Sequence, residues 1–285
     1  MKIGFIGAGK VGTSLGMLFV EGSIQVTGYY SRHRESAKEA ADFTGSRVYT
    51  DISQLVEDSD GIFVTVTDGE INKVYNQLVE IGIEGKLICH CSGAMTAEEA
   101  FCGIKEHGAF GYSIHPLFPV SSKFTSYQEM ADAFFCIEGD AEYLSKWQEI
   151  FADLGLKTRV IDTKNKVMYH EACAIASNLV CGLLQESLEL MDECGFSQED
   201  ALKALKPLVM SNIKNCLEKG PMNSLTGPVD RGDDKTVQKH LDVLHTEEEK
   251  QMYKSVSVKL VEMAKRRHPE TDYKNIEQIL KSGGC

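Results

Sequence analysis

Three groups of side chains in this sequence have the types and spacing to do chemistry. Lys166 and His170 stand four residues apart in a helical pattern, Cys173 and Ser177 continue their face, and Asn178 follows. On an ideal helix Asn178 lies roughly 80° round from His170, near enough to point into one cleft. A lysine or an imidazole can protonate a developing alkoxide or amine, and an asparagine can orient a carbonyl, so the set suits reduction by hydride transfer. The structural alternative is a solvated Lys166 and a His170 satisfied within a core. His115 precedes Pro116, which biases it to extended backbone at a strand end and would face its imidazole to a cofactor cleft; a loop-bracing histidine is the competing account. The third group is Leu225-Thr-Gly-Pro-Val-Asp-Arg-Gly-Asp233, followed by His240. Gly227-Pro228 and Gly232 shape a loop, Asp233 or Asp234 can cap the next helix, and Arg231 can anchor a substrate carboxylate or reach across to another domain.

Hydride transfer needs a carrier, and the N-terminus has a place for one. The apolar run from Ile3 to Ile6 leads into Gly7-Ala8-Gly9-Lys10-Val11-Gly12 and then a helical pattern of Val11, Leu15, Leu18 and Phe19. Gly7 allows a sharp turn off the strand, Gly9 lets a pyrophosphate approach the backbone, and Gly12 lets the helix lie close to the sheet. The amides and positive dipole of the helix N-terminus would hold the diphosphate. An NAD site places an acid about 20 residues on, at the end of the second strand. Here that strand, 24–30, ends in Ser31-Arg32-His33-Arg34, with no acid. A hydroxyl and guanidinium groups suit a 2′-phosphate, which selects NADP; the alternative is that Ser31 caps a helix and the arginines are solvated.

Elements that could position these groups follow from the pattern. Strands are expected at 3–6, 24–30, 47–49, 61–67, 86–91, 109–114, 133–137 and 157–161. Helices are expected between them at 35–43, 52–56, 70–79 and 141–154, with a Thr96/Glu99 capping box opening another. Thr67-Asp68 and Ser92-Gly93 close two strands at the carboxyl edge, where doubly wound sheets bind ligands, so Thr67 and Ser92 join the cofactor set. Asp68 is either part of that edge or the cap of the following helix. Beyond Asp162 only helices are expected, at 165–194, 198–218, 233–244, 247–267 and 272–281. The expected fold is α/β: a doubly wound domain over residues 1–161, then an all-α domain over 162–285.

Composition narrows the class. A 42% hydrophobic, 25% charged chain of 285 residues fits a soluble globular protein of about two domains. A formal net charge of -12 with no basic run argues against nucleic acid. The nine cysteines form no CxxC pair, so no disulfide framework and a cytoplasmic location are expected. In Cys89-His90-Cys91 an extended backbone puts the thiols on one face and His90 on the other, so no metal is expected. No apolar stretch near 18 residues stands out, and no membrane association is expected. Low complexity is confined to the Ser282-Gly-Gly-Cys285 tail.

The glycine turn, Ser92-Gly93-Ala94, His115-Pro116-Leu117, Tyr169-His170, Ser177-Asn178 and the Leu225 to Asp233 loop with His240-Leu241 together resemble a bacterial family. That family pairs a Rossmann-like NADP-binding domain with a helical C-terminal domain of unknown function. The likeness covers nearly the whole chain. The N-terminal half also looks like the deazaflavin-dependent NADP oxidoreductases and pyrroline-5-carboxylate reductases, and the division into domains is similar to ketopantoate reductase and the β-hydroxyacid dehydrogenases. In those dehydrogenases a lysine four residues before an asparagine does acid–base work; here His170 stands at the asparagine position. The resemblance implies a nucleotide site, and with the residues above the leading expectation is an NADPH-dependent reductase of a small carbonyl or imine substrate. Lys166 or His170 would then be the proton donor, Asn178 and His115 would position the substrate, and the helical domain would close the cleft and form a homodimer. A non-catalytic NADP(H)-binding sensor or partner protein is the alternative class, and a deazaflavin in place of an organic substrate is a third account.

Overall fold

The strands expected to carry the glycine turn and His115 form one sheet in the computed structural model, which describes residues 1–282. Gly283, Gly284 and Cys285 of the expected tail lie outside the described residues. The chain alternates β1 (Lys2–Ile6), α1 (Lys10–Glu21), β2 (Gln25–Tyr30), α2 (Arg34–Thr44), β3 (Arg47–Tyr49), α3 (Ile52–Asp58), β4 (Gly61–Val64) and α4 (Asp68–Ile81). It continues with β5 (Leu87–His90), α5 (Ala97–Ala100), β6 (Phe110–Pro116), α6 (Ser126–Met130), β7 (Phe134–Gly139), α7 (Leu144–Asp153) and β8 (Lys157–Val160).

The eight strands lie in the order β3-β2-β1-β4-β5-β6-β7-β8. This is a doubly wound, Rossmann-like sheet whose strand order reverses between β1 and β4, the position where ligands bind. Its pairings are parallel except that β7 runs antiparallel to β6. The period-two alternation of strand side chains explains why both faces are apolar. Phe5 and Phe63 join Phe19, Trp147 and Phe151 on one side, while Ile6, Ile62 and Val64 join Ile71, Leu78 and Phe101 on the other. Each such buried side chain contributes about 1.5–3 kcal/mol.

Two local outcomes differ from expectation. The fourth strand ends at Val64 rather than 67, because the Thr65 hydroxyl donates to the Gly7 carbonyl at 2.9 Å and the chain leaves the sheet there. Asp68 is not a cap: Thr67 holds that position without a side-chain bond, and Asp68 is the first residue of α4. The Thr96/Glu99 capping box is present in both directions.

The remaining described residues are helical: α8 (Lys166–Ala176), α9 (Asn178–Glu193), α10 (Gln198–Lys219), α11 (Pro221–Ser224), α12 (Asp234–Val243), α13 (Glu247–Arg267) and α14 (Lys274–Lys281). The expected continuous helix over 165–194 is broken at Ser177, with φ -126° and ψ -73°. The Ser177 hydroxyl donates back to the Cys173 carbonyl at 2.7 Å, a bond that competes with the helical ladder. Contacts gather the described chain into two compact units, Met1–Asn178 and a second from Leu179 onward. α8 stays with the sheet because Lys166 is buried against β6, as detailed below. The second unit has its own core of Val229, Val237, Val261, Ala264, Tyr273, Ile276 and Leu280. Its helices are opened by Ser197, Asp233 and a Thr246/Glu249 capping box.

The expectation that no stretch is apolar enough for a membrane needs correction. The helical stretch Thr163–Glu193 is long and apolar enough to cross one by length and composition, and its most apolar window is not buried. Alanine, serine, asparagine and glycine interrupt its apolar runs, yet Glu171 is the only Asp, Glu, Lys or Arg between Met168 and Leu184.

Candidate functional site: a nucleotide cleft and a histidine cluster

Gly7 adopts φ +105°, open to glycine, and a Cβ there would lie 2.6 Å from the Thr65 carbonyl oxygen. A Cβ on Gly12 would meet the Thr65 hydroxyl and, at 2.9 Å, the Gly7 carbonyl. These two glycines let β1, β4 and α1 come together. Gly9 is different: it is the N-cap of α1, and a Cβ there would meet nothing within 4 Å. Its open side belongs to a cleft of about 580 Å³ lined by Gly7, Ala8, Gly9, Ser31, Arg32 and Thr67 among others. A backbone cradle left bare at a helix N-terminus fits a diphosphate. Lys10 and Val11 begin α1 beside it, Lys10 exposed and Val11 half-buried.

Ser31 and Arg32 leave the end of β2 into the same cleft. Arg32 donates to Glu70 of α4 at 2.8 Å, and Lys73 donates to the other Glu70 oxygen at 2.6 Å. Glu70 was not apparent as a site residue from the sequence, since it lies 38 residues from Arg32. Ser92 stands apart from the cleft lining: its buried hydroxyl donates to Asp68 at 2.7 Å and accepts from the Met95 amide at 3.1 Å.

A second cluster gathers where β5, β6 and α8 meet. His115 Nδ1 and the Tyr169 hydroxyl are 2.8 Å apart, and the rings of His115 and His170 are 6.1 Å apart and nearly perpendicular. Both imidazoles converge on Gly93, where a Cβ would collide with His170 Nδ1 and sit 2.9 Å from His115 Nε2. His170 Nδ1 is buried without a hydrogen-bond partner. Lys166 is fully buried; its ammonium donates to the Ser113 hydroxyl at 2.6 Å, and Ser113 donates in turn to the Ser92 carbonyl at 3.3 Å. The Lys166 nitrogen also lies 5.7 Å from the Tyr169 ring centroid.

Charge is controlled tightly here. Burial, then the Lys166 and His170 charges, pushes His115 down to about 4, and burial with Lys166 pushes His90 down to about 3. Both are neutral near pH 7. Burial lowers Lys166 from the ordinary lysine range, opposed first by the field of Glu138. Burial, then the Cys136 partner, raises Tyr169, which keeps its phenol protonated. With Tyr169 donating to Nδ1, the neutral His115 presents Nε2–H towards Gly93, a tautomer assigned from the hydrogen bond.

Lys166, His170 and His115 are therefore brought together in one cluster, with both imidazoles against Gly93. Asn178 is exposed beyond the break at Ser177, so the helical spacing that set it beside His170 does not run through to it. Arg231 is exposed in the second unit, where the neighbouring Asp230 accepts from Arg267 and His268 and Asp233 caps α12. Tyr169, Ser113 and Gly93 carry the cluster without having been singled out as site residues. Their signal is weak in sequence, because the Tyr169 and Ser113 contacts span 54 and 53 residues. Among the described residues no group of three or more His, Cys, Asp or Glu could hold a metal ion. Cys89, Cys91, Cys102, Cys136, Cys173, Cys194 and Cys216 are free thiols.

Comparison with known proteins bears on the fold and the domain composition. Residues 2–92 match the family described as NADP oxidoreductase, coenzyme F420-dependent, and residues 133–260 match a domain of unknown function, DUF2520. Protein TM1727 of Thermotoga maritima is 26% identical, with a TM-score of 0.73 over 93% of this chain and 99% of that one. A Bacteroides fragilis protein, BF3122, provisionally described as an NADP oxidoreductase, is 22% identical, with a TM-score of 0.69 over 92% of this chain and 98% of that one. A variant imine reductase from Myxococcus stipitatus, solved with NAD+, is 20% identical, with a TM-score of 0.64 over 98% of this chain and 99% of that one. No curated protein matches the sequence. The chain thus has the fold of NAD(P)-dependent oxidoreductases and carries the two domain types its motifs resemble.

Proposed function

We propose that the protein is an NADPH-dependent reductase of a small carbonyl or imine compound. The observation that carries this is the bare cradle at Gly9 sharing one cleft with Ser31 and Arg32, where β2 ends without an acid. A bound NADPH would supply the hydride. The residues Gly7, Ala8, Gly9, Lys10, Val11 and Gly12 would hold its diphosphate, and Ser31 and Arg32 its 2′-phosphate. Thr67 lines the same cleft, and Ser92 braces its edge through Asp68.

Chemistry is assigned to the histidine cluster. His115 Nε2–H would donate to the substrate oxygen or nitrogen, and His170, with an unspent Nδ1, would deliver the proton. Lys166 would act behind them by holding Ser113 and keeping His90 and His115 neutral. Asn178 and Arg231 are assigned to orienting a substrate carbonyl and anchoring a carboxylate, on their chemistry alone. Exposed Leu179, Leu208, Met210 and Leu217 on α9 and α10 support a homodimer, and cysteines without a CxxC pairing support a reducing, cytoplasmic setting. The description of the family matched by residues 2–92 favours, as a second reading, a deazaflavin in place of the organic substrate.

Calorimetric titration with NADPH and NADH tests the cofactor. NADPH should bind more tightly, and Arg32→Ala should remove the preference; no binding by either nucleotide sinks the reductase assignment. A panel of carbonyl, imine and deazaflavin substrates then tests turnover. The double variant Lys166→Ala, His170→Ala should lose turnover and keep NADPH affinity, and full activity would refute the catalytic assignment.

A further inference from the structure

The cleft holds a carboxylate where the proposed ligand brings a second anion. Glu70 spends one oxygen on Arg32 at 2.8 Å and the other on Lys73 at 2.6 Å, and all three side chains line the cleft. Arg32 and Lys73 are largely exposed, with side chains 71% and 70% accessible, whereas Glu70 is 24% accessible. The carboxylate is therefore the fixed member, and the two cations are the ones free to swing. Lys73 first, and then Arg32, holds the Glu70 carboxyl below the usual range, so it is charged at neutral pH.

Resting on the NADPH reading above, we propose that Glu70 stands in for the 2′-phosphate and sets the choice between NADPH and NADH. Without nucleotide, Glu70 keeps the Arg32 guanidinium over the cleft beside Ser31. A 2′-phosphate, carrying more than one negative charge, must take Arg32 from Glu70 and then sits close to a carboxylate of the same sign. NADH makes no such demand, and its 2′-hydroxyl can donate to a carboxylate. Glu70 thus opposes NADPH and tolerates NADH, restraining a preference that Ser31 and Arg32 would otherwise push further. Lys73 limits this restraint by neutralising part of the Glu70 charge.

Glu70→Gln keeps the shape and removes the charge. Calorimetric dissociation constants for NADPH and NADH should show the NADPH preference rising roughly three- to tenfold in this variant, the span expected for one like-charge contact near a surface. The gain should shrink with added salt, and Glu70→Gln should still raise the NADPH-to-NADH ratio in an Arg32→Ala background, because the like-charge contact does not depend on Arg32. Glu70→Ala, measured in parallel, should move the preference in the same direction. Wild-type binding of NADPH with a preference unchanged or reduced in both variants overturns the role of Glu70 and leaves the cofactor reading intact. Failure of the wild type to bind either nucleotide overturns both.

Discussion

Acidification should weaken the first unit in a way that can be traced to His115. An ordinary histidine takes up a proton near pH 6.5, whereas the folded protein holds His115 down to about 4 through burial and the charges of Lys166 and His170. Between those values the unfolded chain binds a proton that the folded chain refuses, so stability falls as pH falls through that window and levels off above about 6.5. At about 1.4 kcal/mol for each tenfold, the gap makes the neutral imidazole worth up to about 3 kcal/mol, an upper bound because the ring is only partly buried. Trp147, the single tryptophan, is fully buried in the sheet unit, so its fluorescence in urea reports unfolding of that unit. Wild type and His115→Asn are compared from about pH 7.5 to about pH 4.5, because the difference cancels His90 and the other titrating groups. The difference in unfolding free energy should narrow by about 2–3 kcal/mol towards acid. A difference that is flat with pH, or a His115 ring proton titrating near the ordinary value by NMR, would refute the argument.

Two further outcomes follow from the packing. Gly12→Ala forces a Cβ against Thr65 and the Gly7 carbonyl, so it should cost about 1–3 kcal/mol and weaken NADPH binding at least tenfold, measured by urea unfolding and calorimetry; normal affinity and stability would show that α1 can move away from β4. Lys166→Met removes a buried charge that lowers both His90 and His115, so NMR should show both rings titrating closer to the ordinary value; unchanged titrations would mean that the Lys166 charge does not set them.

What was legible in the sequence is what depends on near neighbours. Ile3, Phe5 and Ile6 alternate as a strand does, and the glycines that follow are spaced as a turn and a helix start require, so β1, α1 and the cradle could be read directly. The boundaries of α10, α12 and α13 were legible for the same reason, since Ser197, Asp233 and Thr246 cap them locally. The reversed direction of β7 was not legible, because an apolar strand reads alike in either direction. Nor was the break at Ser177, because good helical periodicity runs on both sides of it. The site shows the same division. Gly7, Gly9, Ser31 and Arg32 lie on two short local motifs at the ends of β1 and β2, while Glu70, Ser113 and Tyr169 enter only when α4, β6 and α8 are folded together.

Lys166 shows how folding changes a residue's role without changing its chemistry. By spacing it belongs with His170 on one helix face, which makes it a proton donor on paper. In the structure it has no accessible surface, and its ammonium is spent on Ser113. An ammonium in that position needs compensation, which Glu138 supplies at a distance and the Tyr169 ring supplies nearby. A group so placed influences a reaction mainly through its neighbours. Its charge disfavours protonation of His115, which leaves a neutral imidazole able to donate from Nε2, and its bond to Ser113 steadies the Ser92-Gly93 turn on which His115 and His170 converge. In the proposed reductase, burial would leave proton transfer to His170 and the setting of the field to Lys166, a division that four-residue spacing on a helix cannot express.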